Sequence, residues 1–256
     1  MRAFVSFLRK EYLELLRSGK LLLIVALFLV FGVMNPAIAK LTPWLLEMMS
    51  DSLAESGMSV TGVEVDAITS WTQFFKNIPM ALIVFILMLG GIFAKEYETG
   101  TFILIDTKGF SRYKVILVKF ICLFIVWTIG YWLCFLVTFA YNAYFWDNSV
   151  AIGLFLATWN WYLFGVWIIC SCVFSSVIFK TYGNILLGVT GIVLFVYVIS
   201  LFPTVGEYMP TKLMNTAKLL LGMETVDVYL KSILIAIFSG LLLLLSSIPI
   251  INRKQL

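Results

Sequence analysis

Histidine is absent from the 256-residue chain, and charged residues make up only 12% of it. Without imidazole the chain has neither a histidine general base nor a histidine-ligated metal site. Soluble globular proteins carry about 25% charged residues, whereas 62% of this chain is hydrophobic and its mean hydropathy is +1.02. So little charge beside so much apolar side chain excludes a soluble globular domain and indicates an integral membrane protein.

The common catalytic motifs are also missing. The sequence contains no G-x-x-x-x-G-K-[ST], no H-E-x-x-H and no G-x-S-x-G, so we expect no nucleotide site, no cofactor and no enzymatic activity in this chain. Four cysteines all fall within apolar runs, where we expect small buried hydrophobes and neither disulfides nor metal ligands: Cys122, Cys134, Cys170 and Cys172.

Six apolar runs are long enough to cross a bilayer, which needs about 20 residues per helix. They cover approximately residues 21–39, 78–94, 115–141, 151–179, 183–202 and 230–251. The predicted fold is therefore a single all-α transmembrane domain over 1–256 with six spans.

Basic residues are distributed unequally between the two sides. Placing the N-terminus inside puts 13 of the 18 Lys and Arg residues in the cytoplasm, and the positive-inside rule then predicts that both termini are cytoplasmic. We expect a multi-pass protein of a cell membrane, the bacterial plasma membrane in particular. A cleaved secretory signal ending at Ala37-Ile38-Ala39 is the alternative for the N-terminus. The 20 residues before the first apolar run, which include Glu11 and Glu14, argue against it.

Residues 1–19 predict an amphipathic helix at the inner membrane interface. One arc of this helix is apolar and the opposite arc carries the cations that would face anionic headgroups. Glu11 breaks the pattern because it falls on the apolar arc. Its position is explained either by a local ion pair or by contact with a partner protein.

Two segments are predicted to lie outside. Segment 40–77 has the signal of a new helix, with Thr42 as N-cap and Pro43 at the first position. Its acidic excess indicates a solvated cap or a surface for a cationic ligand. Segment 203–229 is extracellular or half-inserted, with a short helix at Thr211–Leu221.

The cytoplasmic loop 95–114 is predicted to contain a helix of its own. Gly100 allows the chain to turn after the second span, and Ser111 is placed to cap the third span. Between them a short helix over Thr101–Lys108 would expose four consecutive apolar residues, Phe102 to Ile105. An exposed apolar cluster with a charged rim is typical of a protein docking site. We expect Arg112 to reach back to Glu96 or Glu98.

This loop resembles a family signature. The pattern E-x-E-x-G-T, apolar residues, then S-R-x-x-(aliphatic)-x-x-x-K is formed by Glu96, Glu98, Gly100, Thr101, Ser111, Arg112 and Lys119. It is similar to the cytoplasmic signature of permease subunits of type-2 ABC (ATP-binding cassette) exporters, and the six-span outline extends the resemblance over the whole chain. The sizeable 40–77 segment is a departure that leaves the substrate class open.

The resemblance implies a half-transporter. Two permease copies, identical or related, would work with two separate ABC ATPase chains that bind ATP and Mg²⁺, and no nucleic acid is involved. The loop would be the coupling helix and the N-terminal helix a connecting helix beside it. The residues expected to couple to the ATPase are Glu11, Glu96, Glu98, Gly100, Thr101, Phe102, Ile105, Ser111 and Arg112.

Several functions stay open at this point. The first hypothesis is export of an amphipathic or apolar cargo, for which antimicrobial or toxic peptides are preferred over lipids and hydrophobic drugs. Cationic peptides would suit the acidic outward segment. The second is a non-transporting immunity or sensory protein that recruits an ATPase, and a membrane-embedded enzyme is the least favoured.

Overall fold

The structure is a computed structural model that describes residues 2–49, 65–100 and 111–253. All regular elements in these ranges are helical. In chain order they are α1 (Arg2–Arg17), α2 (Lys20–Met48), α3 (Ala67–Leu89), α4 (Ala94–Glu98), α5 (Arg112–Phe145), α6 (Leu154–Ile178), α7 (Tyr182–Ser200), α8 (Pro203–Gly206), α9 (Ala217–Leu220) and α10 (Asp227–Arg253), with 3₁₀ turns at Gly90–Ile92, Asn148–Val150 and Pro210–Met214.

Six of these helices are long and apolar enough to cross a membrane: α2, α3 with its extension to Glu98, α5, α6, α7 and α10. The prediction of an all-helical protein with six membrane-spanning helices is therefore confirmed. All four cysteines are buried free thiols, as expected from their apolar surroundings.

The predicted helix start at Thr42 is wrong. Helix α2 runs without interruption from Lys20 to Met48 through both Pro36 and Pro43. The Thr42 hydroxyl donates to the carbonyl of Ile38, 2.8 Å away and one turn earlier in the same helix. The Thr42 side chain therefore bonds within a continuous helix and does not cap a new one. Transmembrane helices tolerate proline where neighbouring groups satisfy the carbonyls that it frees.

Helix α3 begins earlier than its apolar run. Asp66 caps it, and its Oδ1 accepts a hydrogen bond of 2.9 Å from the Thr69 amide. The first turns then bury Trp71 and Phe74 in an aromatic cluster with Phe135 of α5. Burial of these rings stabilises the first turns of the helix although they also contain polar residues. Residues 67–77, which had been predicted to lie in the outward segment, are therefore helical.

Helix α6 lies at the centre of the bundle and is the most buried span. It packs closely on α5, where a Cβ added to Gly165 would come within 2.2 Å of the Trp127 ring. The absence of a side chain at Gly165 leaves room for the Trp127 ring against the backbone of α6.

Helix α7 lies at the edge of the bundle and buries only Ile185 and Val189. Segment 203–229 beside it is broken into α8, the turn Pro210–Met214 and α9. The single helix expected over Thr211–Leu221 is therefore wrong. Asn215 and Thr216 separate the two short pieces, and the Tyr229 hydroxyl donates to the Asn215 carbonyl at 2.8 Å.

Candidate functional site

The N-terminal helix delivers one carboxylate into the protein. In α1 the side chains of Glu11 and Leu15 are buried, and Phe7 packs partly on the same core. Positions 7, 11 and 15 share one face because residues four apart lie one above the other on a helix. The exposed side chains Val5 and Tyr12 lie elsewhere on the same helix. The apolar arc expected from the sequence therefore divides into a buried face and an exposed face. Glu11 belongs to the buried face, which contacts the bundle.

A second carboxylate arrives from the end of the second span. The 3₁₀ turn Gly90–Ile92 interrupts the helix, and the short helix α4 then places Glu96 inside, with a side chain only 6% exposed. At the end of α4, Gly100 has a φ of 65°. This left-handed conformation favours glycine and is common where a helix ends.

Lys119 of α5 meets both carboxylates. Its Nζ donates to Glu11 Oε2 at 3.1 Å, to Glu96 Oε1 at 3.3 Å and to the carbonyl of Ile92 at 3.0 Å. The lysine side chain is 1% exposed, like that of Glu11. An ammonium group has three donors, so its full hydrogen-bonding capacity is used within the protein.

Lys10 completes the arrangement from the surface side. Its Nζ lies 3.0 Å from Glu11 Oε1 and 3.1 Å from Glu96 Oε1, while its side chain is 44% exposed. We call Lys10, Glu11, Glu96 and Lys119 the buried ionic cluster. It contains two positive and two negative groups and is neutral when all four are charged. Neutrality is what permits so many ionisable groups in a low-dielectric setting.

Two further groups extend the cluster towards the surface. Glu14 Oε2 lies 3.3 Å from Lys10 Nζ, and Lys95 donates a short hydrogen bond to Glu14 Oε1. The hydrogen bond from Lys95 holds the pKa of Glu14 below its ordinary value. Burial lowers the pKa of Lys10, but the carboxylates of Glu11 and Glu96 raise it by a larger amount, so the pKa lies above its ordinary value.

One acceptor of the cluster stays unused. Glu96 Oε2 is buried and has no hydrogen-bond partner among the residues that the structure describes. A buried carboxylate oxygen without a donor costs free energy, which leaves Glu96 the least satisfied member of the cluster. Taken together, the contacts fasten α1, α4 and the first turns of α5 to one another.

The other predicted coupling residues have varied positions. Glu98 is exposed at the end of α4. Arg112 donates from Nη1 to the Ile251 carbonyl of α10 at 3.4 Å, which connects α5 to the last span. Thr101, Phe102 and Ile105, and the predicted coupling helix Thr101–Lys108, lie outside the described residues.

The predicted role of Ser111 in capping is wrong in its detail. Ser111 does occupy the N-cap position of α5, but its side chain makes no capping hydrogen bond. The amide of Lys114, which the hydroxyl would have capped, donates instead to the backbone carbonyl of Ser111 at 2.9 Å.

Sequence reasoning assigned no structural role to Lys119 or Lys10. Lys119 had been noticed as the last residue of the loop motif, and Lys10 had been expected to face headgroups. The sequence did indicate that Lys119 has a partner. It lies inside an apolar run, and an ionisable residue in a transmembrane segment is usually paired with another polar group. That partner could not be chosen from the sequence, since Glu11, Glu96 and Glu98 were all available.

A second polar contact lies deeper in the bundle, between α2, α3 and α5. Asn77 Nδ2 donates to Asn35 Oδ1 at 2.8 Å, and Asn35 Nδ2 donates to Thr138 Oγ1 at 3.2 Å. The Thr138 hydroxyl in turn donates to the Gly32 carbonyl at 2.9 Å. Asn35 of α2 thus bonds to one residue of α3 and one of α5.

Comparison with known proteins supports the membrane class alone. The chain is 24% identical over 263 residues to the "Uncharacterized transmembrane protein YxlG" of Bacillus subtilis (strain 168), and the alignment covers 100% of this chain and 99% of that protein. No protein-family model matches the chain. No solved structure matches it either.

Proposed function

We propose that this chain is the permease subunit of an ATP-driven exporter, powered by a separate ATPase chain that binds ATP and Mg²⁺. The observation that carries the proposal is the buried ionic cluster, which fastens the N-terminal helix to Glu96 at the start of loop 95–114 and to Lys119 just after its end. A membrane protein with no mechanical load on α1 gains little from anchoring it this way, because apolar packing alone holds a helix at the interface.

The buried ionic cluster is placed to transmit a displacement of loop 95–114 to α1, α3 and α5. Glu96 lies four residues before Gly100, the last described residue ahead of the loop, and Lys119 lies in the second turn of α5, which follows the loop. A displacement of the loop by an ATPase therefore acts on α3 and α5 through short connections, and on α1 through Lys119 and Glu11. Breaking a buried ion pair by removing one partner costs about 3–5 kcal/mol, so the three helices are expected to move together.

The expected cargo is amphipathic or apolar, and we favour peptides. Polar groups within the spans are few, and Asn35 and Asn77 are used in contacts between helices. Asn142 and Asn160 are buried, with no hydrogen-bond partner for their side chains among the described residues. Helix α7 buries only Ile185 and Val189, which leaves most of its surface for lipid or for a second permease copy. A complex of two permeases and two ATPases would then enclose a pathway that one copy alone does not form.

The test is reconstitution with a separate ABC ATPase chain from the same organism, an adjacent gene being the first place to look for one. We expect the two chains to co-purify and to hydrolyse ATP in liposomes. Phe102→Asp or Ile105→Asp should abolish association or lower turnover at least about tenfold, as loss of a docking anchor does. Glu96→Gln should preserve association and lower turnover, because it leaves the docking residues unchanged but weakens the contacts of Glu96 with Lys119 and Lys10.

The control is Glu47→Gln, an exposed residue at the far end of α2, which should leave both measurements unchanged. Association and turnover that survive Phe102→Asp and Ile105→Asp would show that the coupling assignment is incorrect. ATP turnover that is normal while no peptide, lipid or drug probe crosses the membrane would instead favour a non-transporting protein that recruits an ATPase.

A further inference from the structure

The second span is interrupted between α3 and α4. Helix α3 ends at Leu89, the chain forms a 3₁₀ turn over Gly90–Ile92, and α4 begins at Ala94. A stretch of 3₁₀ geometry within an α-helical segment often marks a hinge. Two consecutive glycines begin the turn, and glycine has a weaker helix propensity than every residue except proline. The sequence itself therefore weakens the helix at this position.

At the end of the turn, one backbone carbonyl bonds to a side chain of another helix. In a continuous α-helix the Ile92 carbonyl would accept from the Glu96 amide, four residues later. Here that amide donates to the Phe93 carbonyl at 3.2 Å, and Lys119 Nζ donates to the Ile92 carbonyl at 3.0 Å. Breaks in transmembrane helices persist where neighbouring helices satisfy the freed backbone groups. Lys119 of α5 therefore stabilises the interrupted form of the span.

Before the turn, a second carbonyl is bound by α7. Tyr182 is the first residue of that helix, and its hydroxyl donates a short hydrogen bond to the Leu87 carbonyl. The tyrosine ring lies against the turn, since a Cβ added to Gly91 would come within 3.2 Å of it. We call the contact between Tyr182 and Leu87 the tyrosine clasp. Side chains from two different helices thus hold the backbone on either side of the glycines.

The two helices that hold the break are not equally anchored. Lys119 belongs to the buried ionic cluster and is 1% exposed. Helix α7, by contrast, lies at the edge of the bundle and buries only Ile185 and Val189. Tyr182 at its start is partly exposed. A small shift of α7 therefore releases the tyrosine clasp at a lower cost than any movement that separates the ion pairs.

We propose that the turn Gly90–Ile92 is a hinge and that the tyrosine clasp decides its state. With the clasp closed, the second span is interrupted as observed. With the clasp open, α3 continues as one helix into α4, and the Ile92 carbonyl exchanges Lys119 for the Glu96 amide. The donor that this exchange frees on Lys119 then bonds to Glu96 Oε2, the buried acceptor that has no partner among the described residues in the observed form. Each buried donor and acceptor of the exchange is therefore paired in the open form too.

The hinge gives the coupling proposed above a point of control. The buried ionic cluster keeps α4 attached to α1 and α5 in both forms, so a displacement of loop 95–114 reaches α3 as a change in the angle between α3 and α4. Helix α7 permits or prevents that change through Tyr182. This use rests on the proposed function, whereas the two forms of the span are a property of this chain alone. The test therefore uses the purified protein without an ATPase.

Spin labels at Met80 of α3 and Glu98 of α4 report the geometry across the hinge. Both positions are exposed, and the four native cysteines are buried. In one continuous helix the two Cα atoms would be about 27 Å apart, at about 1.5 Å of rise per residue. Pulsed electron paramagnetic resonance on the full-length protein in lipid nanodiscs measures the distance. Tyr182→Phe keeps the ring but removes the hydroxyl, so the population of the continuous helix should rise about two- to tenfold, as for loss of one hydrogen bond.

Gly91→Ala tests the hinge by a different route. The added methyl group lies 3.2 Å from the Tyr182 ring and so disfavours the closed clasp. Alanine also favours a continuous helix more than glycine does, so the population of that form should rise about two- to fivefold. The double variant Tyr182→Phe/Gly91→Ala should shift it further than either single change.

The matched controls are Gly183→Ala and Tyr197→Phe, both on α7. Nothing lies within 4 Å of a Cβ added to Gly183, and Tyr197 is exposed towards the other end of the helix. Neither change should alter the distances. Thermal unfolding of each variant shows that the fold is retained.

One distance distribution, shared by the native protein, both single variants and the double variant, would overturn the hinge. Shifts of equal size in Tyr182→Phe and in the two controls would overturn the tyrosine clasp, because a general loosening of α7 would then be the cause. A chain that shows both forms of the span but binds no ATPase would retain the hinge and contradict the proposed function.

Discussion

Lys119 and Glu11 are 108 positions apart in the sequence, yet Nζ of the lysine lies 3.1 Å from Oε2 of the glutamate and both side chains are 1% exposed. The N-terminal helix is thereby attached to the interior of a transmembrane helix, beyond the reach of bulk water. A buried pair of this kind adds little net stability by itself, but it penalises any structure in which only one partner is present.

Removing the lysine should therefore be costly. We expect Lys119→Met to destabilise the protein by about 3–5 kcal/mol, because two buried carboxylates would then share only Lys10. Thermal unfolding in detergent measures the loss. The double variant Lys119→Met/Glu11→Gln should recover at least half of it, since Glu96 and Lys10 remain as a neutral pair.

The matched control is Lys76→Met, on an exposed position of α3 away from the buried ionic cluster. It should change stability by less than about 0.5 kcal/mol, as surface substitutions usually do. If Lys119→Met is as stable as Lys76→Met, the buried ion pairs do not hold α1 in place.

The attachment of α1 should weaken in acid. The pKa of Glu14 is held below its ordinary value near 4.5 by the hydrogen bond from Lys95 and by Lys10. A lowered pKa means that the stabilisation is complete above this ordinary value and is lost as the pH falls through the folded-state value. Lys10 has a raised pKa, so its contribution disappears only in strong alkali and does not affect the acid range.

Spin labels at Arg9 and Lys180 would report the distance between α1 and the bundle as the pH is lowered. We expect the distance distribution to broaden below about pH 4.5. The variant Glu14→Gln should show a weaker pH dependence, because the carboxylate that accepts from Lys95 is then no longer present to be protonated. An unchanged distribution down to pH 3 in the native protein would contradict this assignment.

Hydrogen bonds between the spans should be measurable by a conservative substitution. Thr138→Val removes a hydroxyl that accepts from Asn35 and donates to the Gly32 carbonyl of another helix. Since such bonds contribute about 0.6 kcal/mol on average and at most about 1.7 kcal/mol in membranes, we expect a loss of about 1 kcal/mol in unfolding free energy. Thr72→Val is the control, because the Thr72 hydroxyl bonds only to Ile68 within its own helix. Equal effects of the two variants would show that the contact between helices is not stabilising.

Close approach of α5 and α6 should not tolerate a methyl group. Gly165→Ala would place Cβ 2.2 Å from the Trp127 ring, so we expect a loss of about 1–3 kcal/mol from overpacking. Gly191→Ala in α7 is the matched change, since nothing lies within 4 Å of its added Cβ. It should be neutral or stabilising by up to about 1 kcal/mol, because alanine favours helix more than glycine does. Thermal unfolding of both variants distinguishes the two environments, and equal stability would rule out the close crossing.

Prediction from sequence was strongest where a local property decides the structure. The apolar runs identified six spans because a helix must satisfy its backbone inside a bilayer whatever its neighbours are. It was weakest where a local signal has two uses. Thr42 followed by Pro43 is typical of a helix start, but here the threonine hydroxyl bonds backwards to Ile38 and the helix continues.

The candidate site shows the same division. The loop motif included Glu96 and Lys119, and the helical plot singled out Glu11 because it lay on an apolar arc. That observation was sound, but a single arc could not separate the face of α1 that contacts the bundle, with Glu11 and Leu15, from the face that exposes Val5. A helical wheel describes neighbours along one helix and contains no information on which side another helix will cover.

The sequence by itself determined the membrane class, the number of spans and the presence of unusual charges beside the second and third of them. These follow from composition and from runs of consecutive residues, because partition between water and hydrocarbon is additive along the chain. Only the tertiary structure decided that Lys119 joins Glu11 to Glu96, and that the buried indole N–H of Trp161 has no hydrogen-bond partner among the described residues. Such contacts depend on how helices distant in sequence rotate and cross, and those choices are made by packing over the whole bundle.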